Sequence, residues 1–367
     1  MAISVSMRLL RFTRNDILNN AFVLVAAHLR KDRSLHLKAL VYTKPDELVY
    51  RDEPDPVPGP GEVLVKVEAV GICGSDMHAY HGHDPRRVPP LILGHEVAGT
   101  VASGPKEGCR AVINPLITCG RCDYCENGRS NLCPKRELIG MRLPGAFADY
   151  VSVPIENIIE IPDGFSAVHA ALTEPAAAAL HALNLARKRS DRPLAELKTL
   201  VIGGGAVGLL AALLLEAYGC RRVVLAETNA LRRESAAKWA SCQVHDPMND
   251  PELASDDFEL IIDAVGGSVT RKVAMRAVKP GGIFVHIGLM DAGGELDIRK
   301  LTLFEIDLIG IYTYTPGDMR AAANALETGL LGNLDWIETR SLSDGAKAFD
   351  DLDSERTAAA KIVLLPG

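Results

Sequence analysis

The chain has 367 residues, 47% hydrophobic and 24% charged, which fits a well-buried globular protein long enough for two domains. A formal net charge of −7 argues against nucleic-acid binding, and no apolar run reaches the roughly 18 residues that a membrane-spanning helix needs. Eight cysteines without a secretory signal pattern predict a reducing, cytoplasmic location, where clustered thiols are more often metal ligands than disulfides.

The predicted elements change character along the chain. Residues 1–36 carry six basic and two acidic residues, which fits either an organelle transit peptide or a functionless extension; we prefer the second. Residues 37–153 are short and β-like, with strands predicted at 62–68, 95–101 and 147–153. After residue 166 the segment 169–186 is predicted to be helical, and alternating strands and helices then indicate a doubly wound parallel sheet. A helix at 316–329 and a strand at 361–365 close the chain.

A glycine-rich segment, GGGAVG at 203–208, follows an apolar strand and opens an apolar helix. Its glycines allow backbone N–H groups at the helix N-terminus to approach a pyrophosphate. Glu227 ends the next strand, where a carboxylate binds an adenosine ribose and repels a 2′-phosphate. The pattern predicts NAD, with NADP as the alternative because Arg232 and Arg233 are close. The expected cofactor-binding residues are Gly203, Gly205, Ala206, Val207, Gly208, Glu227 and Arg232.

Four of the eight cysteines lie within the segment CGRCDYCENGRSNLC at 119–133. Four thiolates fill the tetrahedral sphere of zinc and leave no position for substrate. The spacing predicts a structural zinc site that braces a loop and does no chemistry, with two disulfides or free thiols as alternatives. Its ligands are Cys119, Cys122, Cys125 and Cys133.

Three further residues predict a second, open metal site. Cys73 lies in GICGSDMH, His95 follows about twenty residues later in GHE, and Glu174 lies in LTEP where the β-rich part gives way to the α/β part. A thiolate, an imidazole and a carboxylate leave one zinc position for water or substrate. Catalysis is therefore expected at these residues.

Six motifs of this chain resemble those of the zinc-dependent medium-chain alcohol dehydrogenases, and most of all those of the sorbitol and other polyol (galactitol-, iditol-type) dehydrogenases. In chain order they are GICGSDMH, GHEVAGTV, the four-cysteine segment, GAFADYVSV, LTEP and GGGAVG. The resemblance runs from Leu37 to the C-terminus. It implies an α/β fold with a β-rich, GroES-like catalytic domain and a Rossmann doubly wound parallel sheet, assembled as a homodimer or homotetramer through an edge strand.

The implied divisions are an extension at 1–36, the catalytic domain with its structural zinc lobe at 37–186, the NAD-binding domain at 187–314 and a return to the catalytic domain at 315–367. Relatives commonly begin Met-Lys-Ala and the match begins Leu-Lys-Ala, so we expect residues 1–36 to be absent from the natural protein.

The resemblance assigns Cys73 and His95 as ligands of the catalytic zinc, one of two zinc ions in each chain. Either Glu96 or Glu174 supplies the carboxylate, directly or through water. In the family the zinc lowers the pKa of a bound alcohol, and hydride then passes to the nicotinamide.

The resemblance also implies a proton relay. Ser75 and His78 occupy the places of a hydroxyl and an imidazole that pass the proton to solvent. Tyr80, His81 and His83 follow in the same loop, and either line the substrate cleft or lie on the surface.

Some residues depart from the family pattern or stand outside it. Residues 108–111 read Gly-Cys-Arg-Ala where relatives read Gly-Asp-Arg-Val, so a changed local hydrogen bond without effect on the metal is expected. Thr313 precedes Tyr314 where sorbitol dehydrogenases carry an Arg, which argues against sorbitol itself. Cys220 and Cys242 are expected to be inert core thiols.

The leading prediction is an NAD-dependent zinc dehydrogenase that oxidises a secondary hydroxyl of a sugar alcohol or related diol to a ketone. The alternatives are a threonine dehydrogenase and a dehydrogenase of phosphorylated polyols, for which Arg86 and Arg87 are the nearby cations. A catalytically silent zinc- and nucleotide-binding protein is the alternative from another class.

Overall fold

The computed structural model describes residues 36–249, 253 and 255–367. The expectation about the N-terminal extension therefore concerns residues outside this described part, apart from His36. Within it, residues 37–367 form one compact unit. None of the helices in the described ranges is long and apolar enough to cross a membrane.

The strands of the described residues are β1 (His36–Lys44), β2 (Glu47–Pro54), β3 (Glu62–Gly71), β4 (Leu91–Ile92), β5 (Glu96–Ser103), β6 (Arg110–Ile113), β7 (Leu116–Ile117), β8 (Glu137–Leu138), β9 (Tyr150–Pro154), β10 (Ile158–Glu160), β11 (Thr199–Ile202), β12 (Val223–Ala226), β13 (Gln243–His245), β14 (Phe258–Asp263), β15 (Val278–His286), β16 (Asp307–Gly310), β17 (Ile337–Ser341) and β18 (Lys361–Leu365). The α-helices are α1 (Gly74–Tyr80), α2 (Asp123–Glu126), α3 (Ala167–Ala170), α4 (Thr173–Arg187), α5 (Ala206–Ala217), α6 (Ala230–Trp239), α7 (Ser268–Ala277), α8 (Ile298–Leu303), α9 (Pro316–Glu327) and α10 (Gly345–Asp353).

A mostly antiparallel sheet carries Glu96, and Cys73 and His95 lie just beyond the ends of its strands. Its strand order is β10-β6-β5-β3-β18-β17, and β9 also pairs with β3. Along β3 the buried residues Val63, Val65 and Val67 alternate with more exposed neighbours, as the period-2 pattern predicted. The last strand of the chain, β18, lies beside β3 and so returns the C-terminus to this sheet.

The second large sheet is wholly parallel, with strand order β13-β12-β11-β14-β15-β16. The first strand in sequence, β11, lies in the middle, and the order reverses beside it, which is the dinucleotide-binding arrangement. All residues of β11 and β12 are buried because helices cover both faces. The sequence-based fold class, a β-rich GroES-like part with a Rossmann sheet, is confirmed.

The predicted helix at 169–186 is divided into α3 and α4. Helix α4 packs its alanine-rich surface against α5 and α9. A buried polar contact fixes this packing: His181 Nδ1 lies 2.8 Å from Asp318 Oδ2, and Asn184 donates to Asp318 Oδ1 at 2.8 Å. Helix α4 therefore joins the two sheets and presents Glu174 in its first turn.

The strand predicted at 95–101 begins one residue later, at Glu96. The cause is Gly94, whose φ of 90° is unfavourable for other residues. A Cβ atom there would also lie 2.5 Å from the Phe147 ring. His95 consequently lies in the turn that enters β5 and not within the strand.

Candidate functional site

The adjoining ends of β3 and β5 bring three predicted metal ligands together. Gly71 and Glu96 are partners in the antiparallel register of these strands. The chain leaves β3 and reaches Cys73, the N-cap residue of α1, while His95 immediately precedes β5. As a result, one donor atom from each of Cys73, His95 and Glu96 lies within 4.8 Å of the others.

These donor atoms suit a divalent zinc ion. A thiolate, an imidazole nitrogen and a carboxylate oxygen are the donors that catalytic zinc sites combine. His95 Nδ1 lies 3.5 Å from Asp76 Oδ1, so Nε2 is the nitrogen left to face a metal. Asp76 is buried and also accepts a hydrogen bond from the Cys73 N–H at 3.0 Å. One carboxylate thus orients two candidate ligands.

The two candidate carboxylates have different partners. Lys361 Nζ lies 2.6 and 2.7 Å from the two Glu96 oxygens and donates to the Ile72 carbonyl at 2.7 Å. A Cβ atom on Gly71 would lie 1.9 Å from Glu96 Oε2, so this conformation requires glycine at position 71. Sequence reasoning missed Lys361, which is separated from Glu96 by 265 positions.

Glu174 is held by Tyr314, a residue that follows the parallel sheet. The hydroxyl of Tyr314 donates to Glu174 Oε1 at 2.8 Å. Burial raises the pKa of Glu174, and the nearby Glu96 charge raises it further. Tyr314 follows β16 at the edge of the parallel sheet, so this hydrogen bond joins the coenzyme side to the metal site.

The two predicted relay residues lie on α1. Ser75 Oγ is 3.5 Å from His95 Nε2 and accepts a hydrogen bond from Arg87 Nη2 at 3.2 Å. His78 is half-buried, and burial lowers its pKa. The structure thus places Ser75 next to the candidate metal ligands and His78 one turn further along the helix.

The next residues of this loop mainly hold the structure together. Tyr80 is buried, packs on Phe349 with 5.5 Å between ring centroids, and donates to Asp350 at 3.1 Å. His81 lies 2.8 Å from both Asp46 and Asp353. His83 is exposed.

The four-cysteine segment forms a compact lobe. The Sγ atoms of its cysteines lie within 4.8 Å of one another, close to the roughly 3.8 Å that tetrahedral Zn–S bonds of about 2.3 Å require. All eight cysteines are free thiols, which argues against the disulfide alternative. Asn131 donates to the Tyr312 carbonyl at 2.9 Å, and the Arg136 guanidinium lies 4.4 Å from the Tyr312 ring centroid. The lobe therefore supports the segment that carries Tyr314.

The glycine-rich segment opens α5 as predicted. Gly203 has a φ of 99°, and Gly205 is the N-cap residue of the helix. A Cβ atom on Gly208 would lie 1.8 Å from the Gly203 carbonyl oxygen, so the close packing of helix on turn requires glycine. Ala206 and Val207 occupy the first turn of α5, whose free N–H groups suit an anionic ligand.

Glu227 lies directly beside this turn. Its carboxylate accepts hydrogen bonds from the N–H groups of Gly204 and Asn229, both at 2.7 Å. Arg232 Nε lies 3.4 Å from Glu227 Oε2. Arg233 instead pairs with Asp246 at 2.6 Å, so of the two arginines it is Arg232 that faces the carboxylate.

The residues that departed from the family pattern have modest local effects. Cys109 exchanges only backbone hydrogen bonds, with Lys106 and Val101. Thr313 adopts a φ of 48°, in the left-handed region. Cys220 is buried, and burial raises the pKa of Cys242 to about 11, so both thiols are poor nucleophiles.

Comparison with known proteins agrees with this geometry. The alcohol dehydrogenase GroES-like domain family matches residues 59–163, and the zinc-binding dehydrogenase family matches residues 206–328. L-galactonate-5-dehydrogenase of Escherichia coli (strain K12) is 32% identical over 310 residues, covering 80% of this chain and 88% of that enzyme. L-threonine 3-dehydrogenase of Thermococcus kodakarensis is 33% identical over 354 residues, covering 90% of this chain and 98% of that enzyme.

A solved structure of a zinc-binding dehydrogenase is also similar to this chain in fold and sequence. A zinc-binding dehydrogenase from Sinorhizobium meliloti 1021 bound to NADP superposes with a TM-score of 0.80 at 31% identity, covering 90% of this chain and 100% of that chain. The family predicted from the motifs is confirmed, and with it the enzyme class. The chain belongs to the zinc-type medium-chain alcohol dehydrogenases, enzymes that work with zinc and a nicotinamide dinucleotide.

Proposed function

We propose that this protein oxidises a secondary hydroxyl of a polyol or sugar acid to a ketone, with NAD as the hydride acceptor. The observation that carries the proposal is the convergence of Cys73, His95 and Glu96 within 4.8 Å, with Ser75 beside them. A zinc ion held by these residues would lower the pKa of an alcohol hydroxyl. The supported ligands are Cys73, His95 and Glu96, and Glu174 is the alternative carboxylate.

The chain's own residues supply a route for the proton. Ser75 stands next to His95, and His78 lies one turn along α1 and is half-buried. Because burial lowers the pKa of His78, its imidazole is neutral near pH 7 and able to accept a proton. We assign Ser75 as the first acceptor and His78 as the exit to solvent.

The substrate is expected to lack a phosphate group. Asp84 pairs with both nearby arginines: Arg86 Nε lies 2.8 Å and Arg87 Nη1 2.6 Å from its oxygens. Arg87 is buried with every guanidinium nitrogen bonded, and the exposed Arg86 is already paired with Asp84, so the loop offers no unpaired arginine to a phosphate. The similarity to L-galactonate-5-dehydrogenase supports a polyol-like acid, and the similarity to L-threonine 3-dehydrogenase makes L-threonine the second candidate.

The cofactor proposal rests on Glu227. Its carboxylate is buried and lies 3.4 Å from Arg232, which would otherwise favour a 2′-phosphate. A buried negative charge at this place favours the ribose hydroxyls of NAD. NADP is the second candidate, because a relative of the same fold binds it.

The proposed domains follow from strand pairing. We assign residues 37–186 and 315–367 to the catalytic domain because β17 and β18 join the sheet of β3. Residues 187–314 contain the whole parallel sheet and form the coenzyme domain.

The assembly proposed is a homodimer, or a homotetramer built from it. Among the described strands, β16 pairs only with β15, so it forms an edge of the parallel sheet, and Leu308 is exposed there. Light scattering of the purified protein tests this state. A cytoplasmic location is proposed because all eight thiols are free.

One assay tests the proposed reaction. Purified protein is mixed with NAD or NADP and a panel of polyols, sugar acids, polyol phosphates and L-threonine, and NADH or NADPH formation is followed by absorbance. We expect formation of NADH with a polyol or sugar acid, its loss on chelation, and its loss in Cys73→Ala. No reduced cofactor with any member of the panel would instead support a silent binding protein.

A further inference from the structure

Arg87 is buried beside the candidate catalytic centre and joins three separate segments. It is 3% exposed, and its guanidinium donates from every nitrogen. Nε binds the Gly140 carbonyl at 2.9 Å, Nη1 binds Asp84 at 2.6 Å, and Nη2 binds Ser75 Oγ at 3.2 Å. Sequence reasoning considered this residue only as a possible phosphate ligand.

The charge of Arg87 is compensated inside the protein. Asp84 is also buried and accepts hydrogen bonds from both Arg86 and Arg87. Burial alone would raise the pKa of Asp84, but the two arginines lower it to about 2, so the carboxylate is ionised at neutral pH. Because a buried Arg needs such a partner, the pair holds the guanidinium in place and leaves no open anion site.

The contact with Ser75 restricts what that hydroxyl can do. A serine hydroxyl has one hydrogen to donate and two acceptor positions, whereas a guanidinium only donates. Arg87 therefore occupies one acceptor position of Ser75 Oγ. The remaining acceptor position and the O–H are left for the side of Ser75 that faces His95, 3.5 Å away.

The contact with Gly140 extends this restraint to the second metal-site segment. The backbones of Gly140 and Gly94 are so close that a Cβ atom on Gly140 would lie 2.9 Å from the Gly94 carbonyl oxygen. Gly94 immediately precedes His95. The same guanidinium thus fixes Ser75 from one side and supports the turn that presents His95 from the other.

We propose that Arg87 is a positioning residue for the dehydrogenase reaction, which orients the Ser75 hydroxyl toward the reacting alcohol oxygen. This inference rests on the proposed function. Arg87 does not contact the substrate in this role, and it acts only through Ser75 and the Gly140 backbone. Deprotonation of the alcohol requires a correctly placed acceptor, so loss of this restraint should slow the chemical step more than it weakens substrate binding.

The test uses a charge-balanced variant, because Arg87→Met alone would remove the buried positive charge and leave the Asp84 carboxylate only the exposed Arg86 as a cationic partner. In Asp84→Asn/Arg87→Met, kcat should fall about 10- to 100-fold, whereas KM should change less than about threefold. The solvent deuterium isotope effect on kcat, measured by comparing turnover in H2O and D2O, should rise because transfer of the hydroxyl proton becomes rate-limiting. Arg87→Lys, which keeps the charge and fewer hydrogen bonds, should fall between this variant and the wild type.

Two controls distinguish a positioning role of Arg87 from a general loss of folded or zinc-loaded protein. Arg86→Met removes the exposed arginine that binds the same carboxylate, and should leave kcat within about twofold. Zinc content and the dissociation constant for NADH, measured by fluorescence, should be unchanged in all variants. A crystal structure of the double variant should show the Ser75 hydroxyl in a different rotamer from that of the wild type.

The inference is overturned if Ser75 keeps its rotamer and the isotope effect stays at the wild-type value. It is also overturned if kcat falls only in proportion to lost zinc, because that indicates a structural role. If the double variant does not fold, the isotope effect and the Ser75 rotamer are measured in Arg87→Lys instead, and the same criteria apply. Absence of NADH formation by the wild type with every alcohol contradicts the proposed function itself, and is thereby distinguished from failure of this inference.

Discussion

Lys361 and Glu96, the first residues of β18 and β5, form a buried ion pair, with the ammonium 2.6 and 2.7 Å from the two carboxylate oxygens. Lys361 is 3% exposed and Glu96 is fully buried. Since Glu96 adjoins Cys73 and His95, β18 contributes the cationic partner of a residue at the metal site. The C-terminal strand is therefore part of the functional centre.

Removing one member of this pair should destabilise the folded protein. Lys361→Met leaves the Glu96 carboxylate buried without compensation, and we expect the free energy of unfolding to fall by about 3–5 kcal/mol. Lys361→Met/Glu96→Gln should recover much of the loss, because no uncompensated charge remains. Denaturant unfolding of the chelator-treated, metal-free protein measures both, because a zinc ion bound to Glu96 would itself compensate the carboxylate. A single variant within about 1 kcal/mol of the wild type contradicts the prediction.

Tyr314→Phe removes only the hydroxyl that binds Glu174. The carboxylate then lacks its 2.8 Å donor in a buried place, so the free energy of unfolding should fall by about 1–3 kcal/mol. Tyr312→Phe is the matched control, since its ring can still lie under Arg136. The same denaturant measurement applies, and equal losses in the two variants would argue against a specific role for the hydrogen bond.

The four-cysteine lobe predicts a defined metal stoichiometry. Cys119→Ser should lose about one zinc equivalent per chain and lower Tm, because four thiolates complete the structural site. Cys109→Ser, a thiol outside the lobe, should retain the wild-type content. Elemental analysis with protein quantification gives the ratio. Unchanged zinc in Cys119→Ser would remove the case for a metal in the lobe.

Cofactor choice should depend on Glu227. Glu227→Gln replaces the buried carboxylate by an amide, which weakens charge-assisted hydrogen bonds, and KM for NAD should rise roughly tenfold or more. The preference for NAD over NADP should fall, because Arg232 is no longer neutralised. Glu234→Gln, an exposed neighbour on α6, serves as the control. The measurement is kcat/KM for each cofactor, and an unaltered ratio in Glu227→Gln would be the contrary result.

His81 predicts a pH-dependent contribution to stability. Burial alone would lower the pKa of His81, but hydrogen bonds to Asp46 and Asp353 outweigh it and raise the pKa. A raised folded-state pKa gives stability that is complete below about pH 6.5 and is lost as the pH rises through the folded-state value. His81→Gln should therefore lower the free energy of unfolding by about 0.5–1 kcal/mol at pH 5.5 and by less at pH 9.

Thermal or denaturant unfolding at both pH values checks this sign. His83 faces the same ring, with centroids 5.6 Å apart, so His83→Gln is the matched control. If the decrease in the free energy of unfolding caused by His81→Gln were larger at pH 9 than at pH 5.5, the prediction would be wrong.

Much of this protein follows from local sequence patterns. The cysteine spacing, the turn of GGGAVG and the alternation in β3 depend on neighbours a few positions apart, so each is readable from the chain. The predicted strand 361–365 appears as Lys361–Leu365. No local pattern encodes its place beside β3, because the two strands are almost 300 positions apart, and only the family resemblance implied that residues 315–367 return to the catalytic domain.

The sequence by itself determined the kinds of chemistry available: a thiolate, imidazole and carboxylate for one metal, four thiolates for another, and a glycine turn followed by an acid for a dinucleotide. Only the tertiary structure decided which groups hold these residues, namely Lys361 on Glu96, Tyr314 on Glu174 and Arg87 on Ser75. The physical reason is that backbone geometry and ligand spacing are local properties. Compensation of a buried charge instead requires a partner that the folded chain brings from elsewhere.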